Sequence, residues 1–84
     1  NRELVPVIRA VRDTAERARR TEVERALRKL TAGENARQVI EALSQALTNK
    51  LTHPPTHALN HASASERDEL AALLTRLYQI PRQE

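Results

Sequence analysis

Eighty-four residues with a formal net charge of +3, no Cys, Phe, Met or Trp and a single tyrosine exclude disulfides, thiolate metal sites and an aromatic core. A chain this short is marginal as a lone globule, and its many alanines add little at about 25 cal/mol per Å² of apolar surface buried. Domains of roughly this size usually lean on disulfides, a metal or a partner chain, and this composition points to the last.

The first predicted element is a helix over residues 4–30, with Pro6 near its start. Leu4, Ile8, Val11, Ala15 and Ala18 share one helix face. Val23, Ala26, Leu27 and Leu30 continue the apolar stripe with a rotation of roughly 80° at about 100° per residue. Val7 and Leu27 fall outside the early stripe, so this helix is apolar on more than one side. It is long for so small a domain and suits an intermolecular bundle.

Gly33 marks the stop, since glycine takes the left-handed conformation common after a helix C-terminus. A second helix is expected over 34–52, with Ala36, Val39, Ile40, Leu43, Leu47 and Leu51 on one side. His53-Pro54-Pro55-Thr56 is expected to break it, because proline removes a donor and bars its predecessor from helical geometry. Lys50, His53 and Pro54 would shape that turn. A short helical segment over 57–62 follows. Ser63 and Glu66 then match a capping box for a last helix over 65–79, with Leu70, Leu73, Leu74, Leu77 and Ile80 inward and Pro81 as its stop. No strand pattern is present. The expectation is an all-α fold: one domain over 1–84, an antiparallel helical bundle with one long N-terminal helix, completed by homodimerisation.

Two stretches carry a resemblance. Val5-Pro6-Val7-Ile8-Arg9-Ala10-Val11-Arg12, running on to Glu24-Arg25-Ala26-Leu27-Arg28-Lys29-Leu30, resembles the C-terminal region of bacterial glutamyl-tRNA reductases. So does Asn49-Lys50-Leu51-Thr52-His53-Pro54-Pro55-Thr56, close to that family's Asn-Lys-Leu-Leu-His-x-Pro-Thr pattern, with Thr52 where a second leucine is usual. The likeness covers essentially the whole chain. It implies a V-shaped homodimeric enzyme of three parts: a catalytic domain with a nucleophilic cysteine, a Rossmann-like NADPH-binding domain, and a helical C-terminal domain that joins the subunits. Such an enzyme reduces glutamyl-tRNA to glutamate 1-semialdehyde and opens tetrapyrrole synthesis. This chain matches the last part. It has no cysteine to form a thioester and no Gly-rich turn for a pyrophosphate, so no catalytic residue, cofactor-binding residue or NADPH site is expected in it.

Residues 1–30 hold nine basic and five acidic side chains, and residues 31–84 hold five and six. Arg9, Arg12, Arg17, Arg19, Arg20, Arg25, Arg28 and Lys29 could therefore grip phosphates. However, Asp13 with Arg17, Glu16 with Arg20 and Glu24 with Arg28 form i, i+4 pairs, and aromatic surface for stacking bases is almost absent. A solvated, salt-bridged face is favoured over tRNA contact. His53, His57 and His61 recur every four residues, but with the helix expected to break at the prolines they would not align as metal ligands. No metal site is expected.

The residues read as dimer core and interface are Val11, Leu27, Leu43, Leu47, Leu51, Leu70, Leu74 and Leu77. No apolar run nears the roughly 18 residues of a membrane span, and Asn1-Arg2-Glu3-Leu4 lacks a signal-peptide layout. A cytoplasmic homodimerisation module with no activity of its own is the reading. Its alternatives are a nucleic-acid-binding module led by the Arg-rich first helix, or a docking adaptor for other enzymes or regulators of tetrapyrrole synthesis.

Overall fold

The computed structural model describes residues 3–81. Three helices make up the described residues: α1 (Leu4–Thr31), α2 (Ala36–His61) and α3 (Ala64–Leu77). No strand occurs among them. The all-α expectation holds.

α1 has 28 residues, about 42 Å at 1.5 Å per residue. Arg28 and Lys29 in its last turn complement the negative end of the helix dipole. Its stop is the one foreseen. Gly33 has φ +89°, and its N–H bonds the Leu30 carbonyl at 3.0 Å while the Glu34 N–H reaches the Lys29 carbonyl at 3.0 Å. This double closure satisfies carbonyls that the helix end would otherwise orphan.

Asn35 starts α2, a role its sequence position did not suggest. Its Oδ1 accepts from the Gln38 N–H at 3.1 Å, satisfying one of the free donors of the first turn. The break expected at His53–Thr56 does not occur, because α2 runs through Pro54 and Pro55 to His61. Lys50, His53 and Pro54 therefore lie inside a helix and shape no turn, and the segment over 57–62 is mostly the end of the same helix. The physical reason is that proline's fixed φ is itself helical, and its missing donor is harmless in a first turn. Residues beyond the pair behave as a helix started by Pro-Pro on an existing axis. The Thr56 hydroxyl also donates to the Thr52 carbonyl at 2.7 Å, supplying a side-chain bond beside the missing backbone ones. What the prolines do mark is a division: the chain forms two compact units, Asn1–Leu51 and Thr52–Glu84.

α3 opens with the expected capping box. Ser63 Oγ accepts from the Glu66 N–H at 3.3 Å, and the Ser63 N–H donates to Glu66 Oε1 at 3.1 Å. The Ser63 hydroxyl and then its backbone N–H hold the Glu66 carboxyl below its ordinary range. The helix ends at Leu77, two residues earlier than the sequence suggests. Gln79 sits at φ 52°, with its N–H on the Arg76 carbonyl and the Ile80 N–H on that of Thr75. The chain has already turned before Pro81 can act.

Candidate self-association surface

In the first unit, α1 and the first half of α2 face each other near the Gly33 loop. Val39 is 3% exposed, and Ala26 is also buried. Between the helices lies a cavity of about 60 Å³, lined among others by Glu22, Ala26, Val39, Leu43 and Ala46. Small residues let the two backbones approach closely. The unexpected member is Glu22, only 2% exposed. Arg25 Nη1 donates to its Oε1 at 2.9 Å, whereas Oε2 is buried without a hydrogen-bond partner. The signal was present in the sequence: Glu22 lies four residues from both Ala18 and Ala26, on the stripe that packs.

In the second unit, the end of α2 and α3 form a smaller pair. Pro55, Ala58, Leu59, Ala62, Leu70 and Leu74 are half-buried there. A groove of about 570 Å³ runs between them, floored by Ala58, Ala62, Leu70 and Leu73 and edged by His61, Glu66 and Glu69.

Of the eight residues read from the sequence as core and interface, Leu43, Leu47, Leu70 and Leu74 are half-buried within their own units. Val11, Leu27, Leu51 and Leu77 are exposed, Val11 by 66%. Leu4, Val5, Val7, Ile8, Ile40 and Tyr78 are exposed as well. Near the start of α1, Val5 and Ile8 line a surface depression with Arg9 and Arg12. Of the last helix's expected inward set, Leu73, Leu77 and Ile80 instead face out.

The basic side chains share the surface of α1 with the exposed aliphatic ones, Arg9 and Arg12 beside Val5 and Ile8. Arg9, Arg12, Arg17, Arg19, Arg20, Arg25 and Arg28 are exposed. The close pairs on α1 differ from those foreseen: Glu16 meets Arg19 at 2.8 Å and Glu22 meets Arg25, both at i, i+3. A hydrogen bond from Arg19, then its charge, holds the Glu16 carboxyl below its ordinary range. On α2, Arg37 and Glu41 approach to 3.8 Å. No helix among the described residues is long and apolar enough to cross a membrane.

Helical pairs that leave many of their larger apolar side chains exposed define a class: an all-helical module with open apolar faces. The comparisons give the family. The profile described as glutamyl-tRNA(Glu) reductase, dimerisation domain, matches residues 1–80, and the chain belongs to that family. Glutamyl-tRNA reductase of Nitrosomonas europaea is 51% identical over 79 residues, covering 94% of this chain and 19% of the relative. That of Thiobacillus denitrificans is 51% identical over 77 residues, covering 92% and 18%. The chain thus spans about a fifth of the length of these relatives. No solved structure matches.

Proposed function

We propose that this chain joins two copies of a glutamyl-tRNA reductase around a two-fold axis, by packing the apolar faces its own fold leaves open. The carrying observation is the set of large aliphatic side chains left exposed in one copy, Val11, Leu27, Leu51 and Leu77 among them. In this reading Val11, Leu27, Leu51 and Leu77 face the second copy, and Leu43, Leu47, Leu70 and Leu74 bridge the intrachain and interchain layers. Burying each such side chain is worth about 1.5–3 kcal/mol. The parent would be the cytoplasmic, NADPH-dependent reductase of glutamyl-tRNA that opens tetrapyrrole synthesis. NADPH and the reactive cysteine would belong to its other domains, and this chain would carry no catalytic step. Its mechanical task is to hold two catalytic arms at a fixed separation.

Sedimentation across a wide dilution series, read with circular dichroism, tests this. A dimer whose dissociation is accompanied by loss of helix is expected. A helical, cooperatively melting single copy at all concentrations would refute it. Titration with tRNA at two salt concentrations addresses the nucleic-acid alternative, whose phosphate contacts would weaken steeply with salt.

A further inference from the structure

The continuity of α2 through its prolines brings His53, His57 and His61 onto one helix face. The His57 and His61 rings stack with centroids 4.0 Å apart and planes 27° apart, while His53 stands off at 5.7 Å from His57. His61 Nδ1 lies 2.9 Å from the His57 carbonyl oxygen. A carbonyl only accepts, so Nδ1 carries the proton and Nε2 of His61 keeps its lone pair. That tautomer, fixed by a backbone carbonyl, is the one imidazole metal ligands use. Both residues are exposed. Zinc–nitrogen bonds of about 2.0–2.1 Å in a tetrahedral set put two ligand nitrogens roughly 3.3 Å apart. Rings already stacked at 4.0 Å reach that separation by small side-chain rotations.

We propose that His57 and His61 form a two-nitrogen clip for a borderline divalent transition ion of the zinc, nickel or copper(II) class. Imidazole is the ligand these ions favour, and hard oxygen-seeking ions such as magnesium or calcium are not its occupants. No group of three or more His, Cys, Asp or Glu side chains is arranged to hold a metal among the described residues, so water completes the set and the site is an open, exchangeable one. Glu66 and Glu69 line the same groove as His61 and give an arriving cation an acidic rim. The clip ties residue 57 to residue 61 in the turn that follows the prolines.

Thermal melts followed by circular dichroism, with nickel or zinc chloride and with chelator reversal, test the proposal above the usual imidazole range. The melting temperature of the unsubstituted chain should rise with metal. Losing even an outer partner of a ligand costs a site about 10–100-fold in affinity, so His57→Ala and His61→Ala should each weaken binding at least tenfold. His53→Ala should leave it unchanged. As a measurement needing no variant, substoichiometric nickel should broaden the imidazole proton resonances of His57 and His61 before that of His53. Absence of a metal-dependent shift, its survival in the His57→Ala/His61→Ala double variant, or broadening centred on His53 would each overturn the assignment. None of these outcomes bears on whether the chain dimerises.

Discussion

The two halves of α1 are both helical, yet their apolar residues go to different uses. Toward the Gly33 loop, buried Glu22 and Ala26 meet the face of α2 that carries Val39. Toward the N-terminus, Leu4, Val5, Val7, Ile8 and Val11 are all exposed. The ordinary order is reversed: small or charged residues are inside and large aliphatic ones outside. Close helix approach explains Ala26, a side chain short enough to leave room for it, while Glu22 lies there with Arg25 as its ion partner. Nothing within one copy explains the second, and the proposed second copy would.

Experiments can break that contrast. The largest effect is expected from Val11→Asp. A two-fold dimer feels each substitution twice, so at about 1.5–3 kcal/mol per buried aliphatic association should weaken by more than roughly 100-fold. Sedimentation reads it, and an unaltered dimer would remove Val11 from the interface. Val39→Ala should act at the other end, lowering the free energy of unfolding by about 2 kcal/mol through the space it leaves; a melting temperature equal to the parent's would contradict its place in the core. Glu22→Met should do the opposite. Removing a buried carboxylate with an unsatisfied oxygen should raise stability by roughly 1–2 kcal/mol, and denaturant titration would expose any loss instead.

Ser63→Ala tests the second unit and should cost α3 about 1 kcal/mol. The box also sets an acid sensitivity. Glu66 has a lowered pKa in the folded chain, so its contribution is present above the unfolded carboxylate value and fades as pH falls through the folded one. In parallel acid titrations the gap between the parent and Ser63→Ala should narrow at low pH to the part due to the Glu66 N–H bond to Ser63 Oγ; a constant gap would argue against the Glu66 link. The smallest effect belongs to Gln79→Gly. Relief of a left-handed non-glycine residue should add somewhat under about 1 kcal/mol, visible as a small rise in melting temperature.

Much of this architecture was legible in the sequence. The i, i+4 stripes gave the helices, Gly33 the first stop, and Ser63 with Glu66 the start of α3. Three things were not. Pro54 and Pro55 signal an end by propensity, but two prolines in succession also start a helix, and only the preceding axis decides which. The ion pairs on α1 close at i, i+3 because rotamers, not spacing, choose between neighbours one turn away. Periodicity also cannot divide one apolar stripe between an intrachain and an interchain layer, so Val11 and Leu47 looked alike although only Leu47 is half-buried in its own unit.

The paired prolines of α2 have a further consequence. Neither nitrogen carries a proton, so the carbonyls of Lys50 and Leu51 receive no backbone bond from four residues on. Two consecutive rungs are therefore missing where the units divide. Such a gap acts as a firebreak: fraying that begins at the far end of α2 loses its cooperativity there. Backbone amides on either side should then exchange with solvent as two separate populations.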